Sequence, residues 1–260
     1  GVRKWGPAVL SAVLAVMLSL AVTGPASASK KPRTKAPSKI VYFTFDDGPY
    51  SMNDPRLLRI LAREQVPATF FVLGNLLAAD RQRATELWLA GHAIGNHTWA
   101  HPDLTFLSPA AIHHEFAATQ RLMGPGAGAC MRPPYGATNS TVVDVARGLG
   151  LKQVLWTVDP QDYAHQNAAY LTSYISSRVH DKAIVLMHDG GGPRGATTSA
   201  VKQLIPILRA RGYEFRTIPS CRVPLKGSAT DAAKRKVRKP EPVVPDEPVP
   251  TPSVPAGMAP

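Results

Sequence analysis

Two adjacent carboxylates and, further along the chain, two closely spaced histidines have the residue types of a metal-dependent hydrolytic site. Asp46 and Asp47 follow an apolar run and precede Gly48-Pro49, a turn signal, so they stand where a strand must end. Because side chains alternate along an extended chain, the two carboxylates are expected to point in different directions. His97 and His101 are four residues apart, and one short helical turn would bring both imidazoles within reach of one cation.

The residues therefore predict a centre for one divalent metal ion. The two histidines and the carboxylate of Asp47 form a ligand set that leaves room for water and substrate. This set suits Zn²⁺, and the same ligands also suit Fe, Co²⁺ or Ni²⁺. Asp46, beside the ligand, would stand where a base is needed to take a proton from the attacking water. Each motif alone also has a simpler interpretation, as turn chemistry for the aspartates and as a surface pair for the histidines.

Other polar residues follow apolar segments further along the chain. Arg132, which opens the run Arg132-Pro133-Pro134-Tyr135-Gly136, can pair with a carboxylate such as Asp46 and orient it, although a rigid turn with a surface arginine is the alternative. His188 closes an apolar strand, a position that suits a general acid. Asp159 and Asp162 follow another predicted strand in the same way.

The elements that must position these residues alternate between strand and helix patterns. Strands are predicted over 39–45, 68–73, 92–95, 129–131, 153–158, 183–187 and 213–217. Helices are predicted over 55–65, 80–90, 108–123, 140–149, 167–180 and 197–211. This order predicts an α/β fold with a parallel sheet and outer helices, in which the chemistry collects at the carboxyl ends of the strands. The remaining histidines are interpreted as surface residues: His92, His113, His114, His165 and His180.

With these motifs, the chain resembles the NodB-homology polysaccharide deacetylases, carbohydrate esterase family four, over residues 39–222. The matching segments are Thr44 to Pro49, His97-Thr98-x-x-His101, Arg132-Pro133-Pro134-Tyr135 and Leu186-Met187-His188. The resemblance implies an incomplete seven-stranded (β/α) barrel. It also implies these roles: Asp46 as base, His188 as acid, Asp47, His97 and His101 as metal ligands, Arg132 orienting Asp46, the Tyr135 backbone N–H holding the oxyanion, and Leu186 lining the pocket for the acetyl methyl group.

The fourth motif of the family departs from its usual form in this chain. It reads Asp159-Pro160-Gln161-Asp162-Tyr163, whereas the family's motif usually ends in Asp-Trp. Asp162 can still tune His188. Tyr163 makes the aromatic wall of the pocket smaller and adds a hydroxyl, which bears on the choice of substrate more than on catalysis.

The 260 residues suit one globular domain with extensions at both ends. Residues 1–28 have the charged start, apolar stretch and Ala26-Ser27-Ala28 site of a secretory signal peptide, with a retained anchor as the alternative. Residues 29–38 are predicted to be a basic linker and residues 223–260 a basic, then Pro-rich, disordered tail. We therefore expect a secreted protein. Cys130 and Cys221 could form a disulfide in that environment, and the sequence leaves their pairing open.

The net charge of +12 is concentrated at the ends of the chain. Residues 40–222 carry 17 Lys and Arg against 14 Asp and Glu, so the predicted domain has no strongly basic face for nucleic acid. The basic flanks fit attraction to an anionic cell wall or membrane surface, and solubilising tails are the alternative. A monomer is expected.

The leading functional hypothesis is a secreted metal-dependent hydrolase that removes N-acetyl groups from GlcNAc residues, with peptidoglycan as the first candidate substrate. Rivals with the same fold are deacetylases of chitin oligosaccharides and acetylxylan esterases. A different class is a catalytically silent wall-binding module, which is disfavoured because Asp46 and His188 serve no binding need. A non-haem iron oxygenase is also disfavoured, since it has no use for an Asp46 base.

Overall fold

The computed structural model describes residue 1, residues 39–49 and residues 54–223. The predicted signal peptide, linker and tail lie outside the described residues, except for Gly1 and Val223. Within the described part of the chain, no helix has the length and apolar composition needed to cross a bilayer.

The described residues contain a seven-stranded sheet whose neighbouring strands are all parallel. The strands are β1 (Lys39–Gly48), β2 (Thr69–Val72), β3 (Ala93–Asn96), β4 (Ala127–Met131), β5 (Lys152–Gln153), β6 (Ala183–His188) and β7 (Tyr213–Phe215). Their order is β5-β4-β3-β2-β1-β6, and β7 pairs with the first residues of β1. A bridge between Val158 and Val185 brings the chain after β5 back to β6. The sheet therefore curls into the incomplete (β/α) barrel that the family resemblance implies.

The helices are α1 (Asp54–Arg63), α2 (Gly74–Ala79), α3 (Arg83–Leu89), α4 (Pro109–Leu122), α5 (Ser140–Gly148), α6 (Ala168–Arg178) and α7 (Gly195–Ala210). Side-chain caps explain where several begin: Ser108 accepts a hydrogen bond at the start of α4, Asn139 at α5 and Asn167 at α6. The sequence did not predict α2, because the residue before it, Leu73, provides no side-chain cap.

The strand predicted over 153–158 is much shorter than expected, since regular pairing covers only Lys152 and Gln153. The carbonyl oxygens of Val154 and Leu155 accept hydrogen bonds from the guanidinium of Arg132, both at 3.2 Å. These carbonyls therefore turn towards a buried side chain, and the strand ends early.

Alternation along β1 separates the apolar core from the interior of the barrel. Val41, Phe43 and Phe45 pack in the main core between the sheet and the outer helices. Each such fully buried side chain contributes roughly 1.5–3 kcal/mol to folding. Thr44 and Asp46 are buried on the opposite face, inside the barrel. The same strand therefore carries both the core and part of the site.

The disulfide whose pairing the sequence left open is present, whereas the interpretation of His92 as a surface residue is wrong. Cys130 in β4 and Cys221 in the 3₁₀ turn Pro219–Cys221 form a bridge with an S–S distance of 2.00 Å. His92 is buried at the start of β3, where its Nδ1 accepts a hydrogen bond from the Ala68 backbone N–H and its ring packs edge-on against Phe70. Burial lowers the pKa of His92 to about 4, which keeps the ring neutral and suited to this interior place.

The remaining histidines differ in exposure. His113, His114 and His180 are exposed, as expected. His165 is partly buried, with its ring packed against Tyr170 at 4.4 Å between centroids.

Candidate active site and metal centre

The carboxyl ends of four strands bring the candidate residues together at one rim of the barrel. Asp46 on β1 lies directly beside His188 on β6 in the strand register. His97 follows β3, and Arg132 follows β4. Parallel strands put their carboxyl ends at the same edge, which is why segments so distant in sequence meet there.

A buried ion pair fixes one of the two aspartates. The Arg132 side chain is completely buried, and its Nη1 donates to Asp46 Oδ1 at 2.7 Å and to Thr44 Oγ1 at 2.9 Å. The guanidinium also lies 4.1 Å from the ring centroid of Phe71. With Oδ1 held in this way, Asp46 Oδ2 is the oxygen that faces the site, 3.8 Å from His97 Nε2.

The other aspartate meets both histidines. Asp47 Oδ1 lies 3.3 Å from His97 Nε2 and 3.2 Å from His101 Nε2. One ligand atom from each of these three residues lies within 4.8 Å of the others, close enough to share one cation. Burial by itself raises the pKa of Asp47, but close contacts with His101 and His97 in their protonated form outweigh burial and hold the pKa well below its ordinary range. The carboxylate is therefore ionised, as a metal ligand must be.

The hydrogen bond at His97 Nδ1, the ring nitrogen that faces away from Asp47, shows that a cation fits this site. His97 Nδ1 lies 2.7 Å from the backbone carbonyl oxygen of Arg132, which can only accept, so Nδ1 carries the proton. In the neutral ring, the Nε2 lone pair then faces Asp47 Oδ1, an atom with no hydrogen-bond partner among the described residues. Two acceptors directed at each other are stabilised by a cation between them. Such a tautomer, fixed from behind by a carbonyl, is typical of metal-binding histidines.

The second histidine has an equivalent partner behind it. His101 Nδ1 lies 3.1 Å from the hydroxyl of Tyr135, whose ring packs edge-on at 4.6 Å between centroids. The segment from Arg132 to Tyr135 thus supports both imidazoles, one through a carbonyl and one through a hydroxyl.

The backbone that carries these ligands differs from two expectations. Asp47 has a φ of 70° and the β1–β2 register shifts between Asp46 and Gly48, so the two carboxylates do not diverge as simple alternation predicts. Both approach His97. The His97–His101 segment is a loop rather than a helical turn, with φ of 75° at Thr98 and 62° at His101. Pro102 disfavours the right-handed helical conformation at His101, the residue before it, so a helical turn is not formed there.

The general-acid candidate has a separate set of partners. His188 Nδ1 lies 2.6 Å from Asp162 Oδ1, and its backbone N–H donates to Asp162 Oδ2 at 3.0 Å. Thr197 Oγ1 donates to the same oxygen at 2.7 Å. Burial by itself lowers the pKa of His188, but the hydrogen bond and charge of Asp162, together with the charges of Asp46 and Asp47, outweigh it and raise the pKa. The ring is therefore suited to carry a proton at Nε2.

The predicted pocket residues lie around His188. Leu186 is buried two residues earlier on the same face of β6. The Tyr163 ring meets His188 edge-on at 5.6 Å between centroids and is 53% exposed. Burial and the charges of Asp159 and Asp162 raise the pKa of Tyr163, so its hydroxyl remains a hydrogen-bond donor.

Sequence reasoning missed three contributors to the site. Thr197 binds Asp162, and Glu115 contacts the histidine loop. Gly190 lies so close to the backbone of Asp47 that a Cβ there would stand 1.8 Å from the Asp47 carbonyl oxygen. The run Gly190-Gly191-Gly192 after a strand was a signal of close approach that could have been used. The sequence gives no comparable signal for Thr197 and Glu115, because it does not distinguish them from helix residues that have no role in the site.

Comparisons with known proteins agree with this geometry. The profile of the polysaccharide deacetylase family matches residues 33–154. A chitooligosaccharide deacetylase from Bradyrhizobium is 36% identical over 200 residues, which cover 70% of this chain and 90% of that protein. A peptidoglycan-N-acetylglucosamine deacetylase from Listeria monocytogenes is 37% identical over 190 residues, or 72% of this chain but only 39% of the relative.

A solved structure supports the same assignment. The family 4 carbohydrate esterase from Streptomyces lividans superposes with a TM-score of 0.67 at 30% identity, covering 74% of this chain and 100% of that chain. The chain therefore belongs to the polysaccharide deacetylase family, carbohydrate esterase family four, and is a hydrolase of carbon–nitrogen bonds other than peptide bonds.

Proposed function

We propose that this protein is secreted and removes N-acetyl groups from the GlcNAc residues of peptidoglycan, with Zn²⁺ as its metal. One observation carries the proposal: a fixed carboxylate (Asp46), a candidate metal triad and a carboxylate-bound imidazole (His188) converge on one rim of the barrel. Hydrolysis of an unactivated amide needs all three, whereas a wall-binding module needs none of them.

Asp46 acts as the base in this proposal. Its Oδ1 is held by Arg132, so Oδ2 is the atom that takes a proton from the attacking water. The water oxygen then adds to the acetyl carbonyl carbon. Because Arg132 is completely buried and hydrogen-bonded on several sides, it holds the carboxylate in one orientation during this step.

His188 acts as the acid. Its Nδ1 is bound to Asp162, so the proton available to substrate is on Nε2. As the carbon–nitrogen bond breaks, this proton goes to the leaving amine, and the products are acetate and a free amino sugar. The backbone N–H of Tyr135, a residue held at φ 58°, donates to the oxyanion of the tetrahedral intermediate.

Asp47, His97 and His101 would hold the metal. A divalent cation bound by them supplies Lewis acidity, which polarises the acetyl carbonyl and makes the attacking water more acidic. Two imidazoles and one carboxylate favour Zn²⁺, and Co²⁺ or Ni²⁺ would be accepted by the same ligands.

Peptidoglycan is the preferred substrate because three features agree. The Listeria relative is a peptidoglycan-N-acetylglucosamine deacetylase. Residues 1–28 have the pattern of a signal peptide, and the basic flanks suit an anionic wall. A chitin oligosaccharide is the second candidate, since this chain covers 90% of the Bradyrhizobium chitooligosaccharide deacetylase. We propose a monomer that acts at the cell wall.

The test is acetate release from peptidoglycan, chitin oligosaccharides and acetylxylan, measured side by side. We expect the highest kcat/KM on peptidoglycan, loss of activity after chelation, and recovery with Zn²⁺ or Co²⁺. Turnover by a verified metal-free sample would reject the metal assignment. The highest kcat/KM on chitin oligosaccharides or acetylxylan would replace the substrate, and wall binding without turnover of any polymer would support the silent module.

Export and wall association have their own tests. Expression in a bacterial host should place the protein outside the cell, with a mass that corresponds to cleavage after Ala28. Removal of residues 223–260 should leave turnover of soluble substrates unchanged while weakening retention on cell walls at low salt. Unchanged retention would remove the proposed role of the tail.

A further inference from the structure

We propose that Glu115 is a positioning residue for the metal centre, which it serves by clamping the backbone between the two histidines. Glu115 lies on α4, away from the rim residues in sequence. Its Oε2 accepts hydrogen bonds from the backbone N–H groups of Trp99 at 2.7 Å and Ala100 at 3.0 Å. These two residues stand directly between His97 and His101 in the chain. The inference rests on the proposed function of the triad as a metal site.

The loop between the histidines has no regular structure to satisfy its backbone. Its N–H groups are paired one by one: Thr98 N–H with Asn96 Oδ1 at 3.0 Å, and His101 N–H with Thr98 Oγ1 at 3.1 Å. Glu115 supplies the acceptor for the other two. Without the carboxylate, the partly buried N–H of Trp99 and the exposed N–H of Ala100 lose their partner.

The opposite side of the loop is fixed by α2. The carbonyl oxygens of Thr98 and Trp99 accept hydrogen bonds from the backbone N–H groups of Gly74 at 3.0 Å and Asn75 at 3.1 Å. The loop is thus held from α2 through its carbonyls and from α4 through its N–H groups. Removing Glu115 releases one of these two sides.

The left-handed residues explain why the loop needs such a clamp. Thr98 and His101 have φ of 75° and 62°, conformations that cost free energy for residues other than glycine and persist only when the surroundings enforce them. A loop freed on one side can relax towards ordinary φ values. His101, at the end of the loop, would then move relative to His97.

The effect should fall on His101 more than on His97. The His97 backbone N–H is bound to the carbonyl oxygen of Val72, and its Nδ1 to that of Arg132. Its side chain is 2% exposed, whereas that of His101 is 25% exposed and is supported by the Tyr135 hydroxyl at the rim. Glu115 therefore sets the distance between two ligands, one of which is otherwise loosely held.

The experiment compares three variants of the full chain with wild type. Glu115→Ala removes the acceptor and keeps a helix-forming residue in α4. Glu115→Gln keeps an oxygen that can accept both hydrogen bonds. His114→Ala, an exposed neighbour on the same helix, is the matched control. The measurements are the Zn²⁺ dissociation constant by chelator competition, the visible spectrum of the Co²⁺ form, and hydrogen exchange of residues 96–101 in the metal-free protein.

We expect Glu115→Ala to weaken Zn²⁺ binding about 10- to 100-fold, the usual effect of losing a group that orients a metal ligand. Its Co²⁺ spectrum should change, and exchange at Trp99 and Ala100 should accelerate. Glu115→Gln should recover most of the affinity, and His114→Ala should match wild type.

Two results would overturn the inference, and they differ from failure of the proposed function. Wild-type Zn²⁺ affinity and spectrum in Glu115→Ala would show that the residue serves folding alone. If Glu115→Ala does not fold, Glu115→Asp takes its place, because its shorter side chain withdraws the carboxylate from the Trp99 and Ala100 N–H groups; wild-type Zn²⁺ affinity and Co²⁺ spectrum in this variant would lead to the same conclusion. A wild-type protein that binds no Zn²⁺ would instead reject the metal centre, and the proposed role of Glu115 with it.

Discussion

The metal half of the site, formed by Asp47, His97 and His101, depends on the irregular end of β1 and on the loop after β3, whereas the acid half, formed by His188 and Asp162, depends on a regular strand end and a buried carboxylate. The loop between His97 and His101 is held by hydrogen bonds to the backbone of α2 and to the Glu115 side chain on α4. Asp47 and His101 both have φ values in the left-handed region. His188 instead ends the regular strand β6, and one buried side chain fixes its ring and its backbone N–H.

This difference predicts two separable kinds of defect. Changes in the metal half should appear first as altered metal affinity, because the distances between ligands are what the loop maintains. Changes in the acid half should leave metal affinity unchanged and alter the pH dependence, because they act on the proton of one imidazole. Asp46 lies between the halves, beside His188 in register and 3.8 Å from His97.

The largest effect is expected for Asp47→Ala. This change removes the only carboxylate among the three candidate ligands and leaves two imidazoles to hold the cation. Metal content and activity should fall together, and the activity loss should exceed the roughly 10²–10⁴-fold worth of one general base or acid. Elemental analysis and acetate release check both. Full metal content in the variant would contradict the ligand assignment.

A smaller loss is expected for Asp46→Asn. The amide keeps an oxygen for Arg132 Nη1, so the buried guanidinium retains a partner, but the amide cannot act as a base. The rate should fall roughly 10²–10⁴-fold while metal content stays near that of wild type. If this variant loses its metal and Asp47→Ala keeps it, the two roles are exchanged. If both keep metal and activity, the site lies elsewhere.

The acid half is tested by Asp162→Asn through the pH dependence of kcat/KM. His188 must be protonated to act as an acid, so activity falls as the pH rises through its pKa. The Asp162 carboxylate raises that pKa, and its loss should move the alkaline limb of the profile to lower pH. At the wild-type optimum the loss should stay below the roughly 10²–10⁴-fold worth of the whole acid.

Metal affinity provides the control for Asp162→Asn. It should be unchanged, because the Asp162 carboxylate contacts His188 and Thr197 and none of the three candidate ligands. An alkaline limb that stays in place, or moves to higher pH, would show that another group sets it.

Many of the residues in the two halves of the site could be predicted from the sequence, because local patterns place them. Strand alternation and strand ends are local patterns, so Asp46, His188 and Arg132 could be placed at one rim before the fold was known. The alternation of elements predicted the parallel sheet with outer helices, and the family resemblance implied that it forms an incomplete barrel. The sequence left the pairing of Cys130 and Cys221 open, because it does not show whether two residues separated by 91 positions lie close together.

The parts that sequence could not supply depend on tertiary contacts. The His97–His101 spacing suggested a helical turn, but the fold holds this segment as a loop through Glu115 and the N-terminus of α2. In the sequence, nothing distinguishes His92 from a surface histidine. Its interior position is seen only from its contacts with Ala68 and Phe70 in the fold. The fifth strand ends early because its carbonyls bind Arg132, a residue more than twenty positions away.

The smallest effect is expected for Tyr135→Phe, which removes only the hydroxyl behind His101. This hydroxyl lies 3.1 Å from His101 Nδ1 on a side chain that is 70% exposed, so water can replace it as the acceptor for the ring N–H. Zn²⁺ affinity should therefore fall by less than about 10-fold, which is the smallest loss usually seen when a buried partner of a metal ligand is removed. The turnover number should stay near that of wild type, because the backbone N–H of Tyr135 is unchanged.

Two further variants sharpen this last prediction. Tyr163→Phe removes a hydroxyl on the acid side and is the matched control, so it should leave Zn²⁺ affinity at the wild-type value. Glu115→Ala, whose acceptor serves two backbone donors, should lose more Zn²⁺ affinity than Tyr135→Phe. If Tyr135→Phe instead loses more Zn²⁺ affinity than Glu115→Ala, then the exposed hydroxyl holds His101 more firmly than the hydrogen bonds of Glu115 to the backbone do. The metal half would in that case depend on side-chain partners, as the acid half does, and the contrast between the two halves would fail.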